Sequence, residues 1–186
     1  MRAVCICGSP RKSGSCSYII DLFIHAFLGA ENTAEKIYIS DIDMNYYTGC
    51  KMCYDSGICV QQDSVLEVVN KLLQADLVLV AAPSYWADIP AQLKTFINRN
   101  TPFGDTNQNR IVKAEKHILG VSVAVRAGSS PGENELILNS IEHYFGHMGI
   151  TPVKRFSFLN TDCLDDLLAN NEKTLKDIEY FAENIR

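Results

Sequence analysis

Apolar positions along the chain alternate between two kinds of pattern. Short, nearly unbroken apolar runs recur at Arg2–Cys7 (RAVCIC), Asp76–Ala82 (DLVLVAA) and His117–Val125 (HILGVSVAV). Runs this short, rich in Val and Ile, predict strands; the latter two read as buried on both faces. Glu35–Ser40 and Thr151–Phe158 read as two further strands. Between them the apolar residues recur at i, i+3 and i+4, the helical period. Cys16–Leu28 carries Ile19, Ile20, Phe23, Ile24 and Phe27 on one face. Ser64 reads as the cap of a helix through Leu66, Val69, Leu72 and Leu73, with Glu67 as its capping-box partner. Ala91–Arg99, Glu133–Met148 and Asp165–Ile185 read as helices, the last broken near Asn170 and Asn171.

Strands alternating with helices predict an α/β protein, with a parallel sheet covered on both faces. Five strands and five helices suit a flavodoxin-like doubly wound sheet in the order 2-1-3-4-5. That order sets a ligand crevice at the carboxyl ends of strands one and three. The loops after Cys7, Ala82 and Val125 are therefore the places to look for chemistry. No repeat, low-complexity tract or linker-like boundary divides the 186 residues, so one domain over 1–186 is expected.

Composition narrows the field by exclusion. The net charge of −5, without any Lys/Arg run, argues against a nucleic-acid partner. No apolar run reaches membrane-spanning length, and MRAVCICGSP turns polar too soon for a signal peptide. A cytoplasmic protein is expected. Its seven cysteines then read as thiols or ligands rather than disulfides.

The first loop, GSPRKSGSCS (Gly8–Ser17), leads straight into a helix and is dense in hydroxyls. Free N–H groups and the dipole at a helix start favour an anion, which Arg11 or Lys12 would screen. The same loop also reads as a polar turn with a good cap. It matches neither GxxxxGK[ST] nor GxGxxG. Cys5 and Arg11 stand in the C-x5-R spacing of low-molecular-weight tyrosine phosphatases, but Cys5 lies inside a strand pattern and no Asp-Pro pair occurs in the chain. In the loop after strand three, Tyr85 and Trp86 follow Pro83 and Ser84: a wall for a flat heterocycle, a subunit contact, or a hydrophobic loop anchor. The loop after strand four, VRAGSSPGENE, offers Ala127 and Gly128 for close backbone approach, or is a plain strand-to-helix connection.

Together, GSPRKSGSCS and PSYWADIPAQLKTFINR make the chain resemble the NADPH-dependent FMN reductase family and its iron–sulfur flavoprotein branch. Tyr85, Trp86, Leu93, Lys94, Phe96 and Arg99 all fit the family's third-loop pattern. The resemblance implies tightly but non-covalently bound FMN, with its phosphate on Ser9, Arg11, Ser13, Ser15 and the backbone near Cys16. It implies an isoalloxazine ring against Pro83, Ser84, Tyr85 and Trp86, with Ala127 and Gly128 at its edge. It further implies NADPH or NADH as electron donor, a small acceptor (a quinone, flavin, nitro or azo compound), and a homodimer or homotetramer. A non-enzymatic electron carrier of the flavodoxin type is the alternative. No catalytic side chain is expected beyond those that hold the flavin.

Gly49–Cys59 (GCKMCYDSGIC) places Cys50, Cys53 and Cys59 in register with the last three cysteines of that branch's C-x2-C-x2-C-x5-C motif. Tyr47 stands at the first. With three thiols and no fourth, the expectation is that no cluster is bound there; zinc with a donor from elsewhere in the chain is the alternative. His143 and His147 stand at i, i+4 on one helix, and HxxxH alone reads as solvated or interfacial histidines. Asp165-Asp166 reads as a helix-start charge feature.

Overall fold

A computed structural model describes residues 1–29 and 31–185. Five strands form one parallel sheet: β1 (Arg2–Cys7), β2 (Thr33–Tyr38), β3 (Leu77–Pro83), β4 (Ile118–Val125) and β5 (Ile150–Phe158), in the order β2-β1-β3-β4-β5. The helices are α1 (Ser15–Phe27), α2 (Cys53–Ser56), α3 (Val65–Leu73), α4 (Ala91–Arg99), α5 (Gly132–Met148), α6 (Leu164–Asn170) and α7 (Glu172–Asn184). The expected doubly wound, flavodoxin-like arrangement is the one observed.

Side chains of the inner strands alternate between two cores, because successive residues of a strand face opposite sides. Val4 and Ile6 of β1 join α3, α4 and α5 on one face, through residues such as Val69, Phe96 and Phe145. Ala3, Cys5 and Cys7 join α1 and α7 on the other, against Ile20, Phe23 and Ile178. This double burial explains why the strands read as continuous apolar runs rather than alternating ones.

Several local expectations are refined. Ser64 does not cap α3: its backbone is helical (φ −73°, ψ −2°) and its side chain makes no cap bond. A capping side chain needs an extended residue behind it. Asp63 serves instead, its Oδ1 accepting from the Val65 N–H at 3.3 Å, while Glu67 meets Lys71 at 3.3 Å. The break near Asn170 and Asn171 is present. Asn171 lies between α6 and α7, and its amide donates to the Leu159 carbonyl and to Thr161 Oγ1, both at 2.9 Å. Asp166 does hold a helix start, accepting from the N–H groups of Asp162 and Cys163. The single turn α2 has no counterpart in the apolar periodicity.

The segment between β2 and α3 is anchored by one buried ion pair. Arg99, at the end of α4, grips Asp63 through two parallel bonds of 2.6 and 3.0 Å, and donates to the Asn45 carbonyl at 2.7 Å. The two side chains are 1% and 2% exposed. Burial pushes the Asp63 carboxyl up, but bonds from Arg99 and from the N–H groups of Asn45 and Val65 outweigh it and hold the carboxyl below its ordinary value. Its stabilising effect is therefore present above the unfolded carboxyl pKa of about 3.9 and is lost as pH falls through the lower folded value. Asp63→Ala strands the guanidinium without a partner, which costs about 3–5 kcal/mol. Urea unfolding at pH 7 should show that loss; a loss below about 1 kcal/mol, the scale of an exposed pair, contradicts this reading.

Candidate functional site

β1, β3, β4 and β5 all end at the same edge of the sheet, and the loops that leave them enclose a cavity of about 410 Å³. This lies within the range of small-molecule sites, about 300–1,000 Å³. Its wall carries Ser9, Arg11, Ser13, Ser15 and Cys16 from the first loop, Pro83, Ser84 and Tyr85 from the second, and Ala127 from the third. Nine of the eleven residues named from the sequence thus meet in one place.

The first loop is built to receive negative charge. Gly14 caps α1 with an extended backbone, no side chain fills the cap, and the first turn holds no acidic residue. The opening N–H groups of a helix have no intrahelical acceptors, so this end presents donors together with the positive end of the dipole. Lys12 is engaged by Asp41 at 2.7 Å, whereas Arg11 is exposed and makes no ion pair among the described residues. Ser9 is buried and steadies the turn, its Oγ accepting from the Arg11 N–H at 3.2 Å. An anionic group on the ligand fits here. Apolar surface from Pro83, Val125 and Leu164, with Tyr85 alongside, fits the body of a flat ring system.

Trp86 and Gly128 do not line the cavity. Tyr85 and Asp88 exchange backbone bonds of 2.9 and 3.2 Å around a tight turn, and its two central residues, Trp86 (φ 56°) and Ala87 (φ 60°), are both left-handed. Such turns ordinarily use Asn or Gly, so this one stores strain, and it leaves the Trp86 side chain fully exposed. At Gly128 the space a Cβ would need is taken by the Arg126 guanidinium, 2.7 Å away. Arg126 folds back to donate to the Ser130 carbonyl (2.7 Å) and Glu133 (2.9 Å), and Glu133 accepts in turn from Ser84 Oγ (2.9 Å). This network ties the second loop to the third.

Sequence reasoning missed Gly14, Val125, Arg126 and the whole contribution of Thr161–Leu164. The Thr161 N–H donates to the Arg126 carbonyl (2.9 Å), the Asn160 N–H to the Gly128 carbonyl (3.1 Å), and Ser15 Oγ to the Cys163 carbonyl (3.2 Å). These bonds draw the loop after β5 over the cavity. The signal was available: β5 ends at the same edge, so its loop belongs to the same crevice.

The three buried thiols of β1 and α1 do not suit nucleophilic catalysis. Burial pushes Cys5 up to about 12 and also raises Cys7 and Cys16, whereas a thiol nucleophile needs the opposite shift. The C-x5-R phosphatase chemistry is thereby set aside.

Parallel strands in this order, with an anion-receptive cleft over their carboxyl ends, define a flavodoxin-like protein with a site at the topological switch point. More closely, the chain belongs to the NADPH-dependent FMN reductase family, whose sequence profile matches residues 1–161. It is thus a flavoprotein oxidoreductase by family. It is similar to proteins called iron–sulfur flavoprotein from Archaeoglobus fulgidus (36% identity over 82% of this chain and 66% of that protein) and Methanosarcina thermophila (30% over 82% and 77%). The chain therefore spans about two thirds of the Archaeoglobus protein's length. Among solved structures the fold is shared with an azoreductase from Bacillus anthracis (TM-score 0.76, 14% identity, all of both chains). It is also shared with an NAD(P)H:quinone oxidoreductase from Methanothermobacter marburgensis (TM-score 0.75, 17% identity, 99% of this chain and 96% of that one).

The cleft depends on close packing beneath it. A Cβ on Gly8 would stand 2.9 Å from Leu93 Cδ2 and 3.1 Å from the Ala81 carbonyl oxygen. Gly8→Ala should lower stability by about 1–3 kcal/mol, as overpacking does, and weaken FMN binding in the same variant. Denaturation together with a flavin titration checks both; unchanged stability and affinity contradict the packing argument.

Proposed function

We propose that FMN binds in the 410 Å³ cleft and that the chain passes electrons from NADPH or NADH to a small acceptor such as a quinone, free flavin, nitro or azo compound. The observation that carries this is the uncapped start of α1 beside the exposed Arg11, set against an apolar wall at the same sheet edge. The phosphate would rest on Ser9, Arg11, Ser13, Ser15 and the Cys16 N–H. The isoalloxazine would lie against Pro83, Ser84, Tyr85 and Ala127. Bound FMN supplies the hydride and electron-transfer chemistry. The chain's own part is to hold the phosphate, position the ring and keep its edge out of water. The Ser84–Glu133–Arg126 network fixes the spacing of the two loops that do so. Family membership supports the flavin, and the family's description supports NADPH as donor.

We further propose that Cys50, Cys53 and Cys59 hold no four-iron cluster in this chain. The three thiols share a cavity of only about 20 Å³ with Tyr47 and Arg99, room for about one water molecule. Cys59 Sγ accepts from Arg99 at 3.8 Å. A four-iron cluster wants four protein ligands, and Tyr47 stands where the motif would put the first.

One anaerobic experiment tests both statements. NADPH added to the purified yellow protein should bleach the flavin bands without any added reductase. No long-wavelength shoulder should be present, and iron and sulfide should be well below one per chain. Arg11→Ala should weaken FMN by about tenfold or more, the scale of a charged hydrogen bond. No bleaching would favour the flavodoxin-type carrier, and stoichiometric iron with sulfide would restore the cluster.

A further inference from the structure

A second cavity, larger than the cleft, lies elsewhere. About 650 Å³ opens between α4 and α5, on the far side of the Tyr85–Asp88 turn from the flavin cleft: Tyr85 lines one space, and Ala87 and Asp88 line the other. Its wall carries His143 and His147, one turn apart on α5, with Lys94 and Asn98 of α4 opposite.

We propose that His143 and His147 chelate a divalent transition-metal ion of the zinc or nickel type, with Asp105 as the positioning residue. Three observations carry this. Residues at i, i+4 share one helix face, and here the two Nε2 atoms face each other at 3.1 Å, the rings edge to face with centroids 4.6 Å apart. Metal–imidazole bonds of about 2.0–2.1 Å spanning that separation meet at an angle of about 98°, between the octahedral and tetrahedral values. Secondly, His147 Nδ1 lies 2.6 Å from Asp105 Oδ1. A carboxylate there holds the hydrogen on Nδ1 and leaves the Nε2 lone pair turned toward His143, the arrangement found behind metal-ligating histidines. Thirdly, Asp105 is itself fixed, its N–H donating to the His147 carbonyl at 2.9 Å. The helix dipole explains a histidine in the last turn of α5. It does not explain two imidazole nitrogens set 3.1 Å apart with a carboxylate locked behind one of them.

Among the described residues no set of three or more His, Cys, Asp or Glu side chains is arranged around a metal position. The pair is therefore an open chelate, unlike the closed four-ligand set of a structural zinc site. Its remaining positions are left to water or to the oxygen and nitrogen atoms of a molecule in the cavity. Tyr144, on the same wall, has a buried hydroxyl with no hydrogen-bond partner among the described residues. Imidazole selects zinc, nickel or copper over magnesium and calcium, which take oxygen ligands. None of this depends on the flavin reading.

The test is calorimetric titration of the purified protein, as isolated, with Ni²⁺ and, separately, Mg²⁺. Nickel is chosen because the Cys50–Cys59 thiols compete more strongly for zinc, and those thiols are unchanged in every variant. One nickel site per chain is expected, with no magnesium binding. The site should weaken at least tenfold in His143→Gln and in His147→Gln, and about tenfold in Asp105→Asn. Asp105→Glu, which keeps the carboxylate, should recover part of that loss. Nickel should raise the thermal midpoint of the parent protein and not of the histidine variants, whose flavin spectra should stay unchanged. Nickel binding that is absent, or equal in the parent and both histidine variants, overturns the site; full affinity in Asp105→Asn overturns the role of Asp105.

Discussion

At the carboxyl edge of the sheet the Gly8 N–H donates to the Ala81 carbonyl over 2.8 Å. That bond sets where β1 releases β3. Up to it the two strands run in parallel register, Cys7 beside Ala81. Beyond it their loops must part, one toward α1 on one face and the other toward α4 on the opposite face. A doubly wound sheet always opens a crevice where neighbouring connections diverge. Here the crevice is bounded by an uncapped helix start on one side and apolar backbone on the other. The anion-receptive character of the site thus follows from topology and from the absence of a capping side chain at Gly14, rather than from a cluster of charges.

The Tyr85–Asp88 turn is the second organising feature. It separates two cavities of different character, the smaller lined by serines and backbone, the larger by histidines, Lys94 and apolar helix faces. Two consecutive left-handed residues that are not glycine hold it in shape. Its strain is carried by a short frame: the Ser84 N–H bonds to the Val125 carbonyl at one end, and Asp88 accepts from the Ile89 N–H at the other. Behind it, Arg99 and Asp63 anchor the cysteine-bearing segment to the end of α4. The segment's position is therefore maintained by a buried ion pair whether or not its thiols bind anything.

Much of this was legible in the chain itself. Runs such as DLVLVAA, short and rich in Val and Leu, read as strands buried on both faces, and their alternation with helices restricts the topology to very few choices. The serine-rich first loop and PSYW fall at one edge by strand order alone. What escaped the sequence depended on tertiary contacts. The loop after β5 is drawn over the site by bonds to the Arg126 and Gly128 carbonyls, which no local pattern announces. Tyr85 and Trp86 read as a pair, yet the left-handed backbone at Trp86 separates them, with Tyr85 lining the cleft and Trp86 in solvent. Ser64 and Glu67 have the letters of a capping box, but Asp63, fixed by Arg99, reached the Val65 N–H instead. Gly128 read as room for a ligand and instead makes room for Arg126. The HxxxH spacing was visible, but Asp105, which gives it meaning, lies 38 residues before His143 in the chain.

The central claim is that the cleft over β1, β3, β4 and β5 holds FMN with its phosphate at the start of α1. A crystal structure of the flavin-loaded protein tests it most directly. The phosphorus is expected among Ser9, Arg11, Ser13 and Ser15, within hydrogen-bond reach of the Cys16 N–H, and the ring against Pro83–Tyr85 and Ala127. Flavin density in the α4–α5 cavity, or a phosphate bound away from the α1 N-terminus, would contradict it.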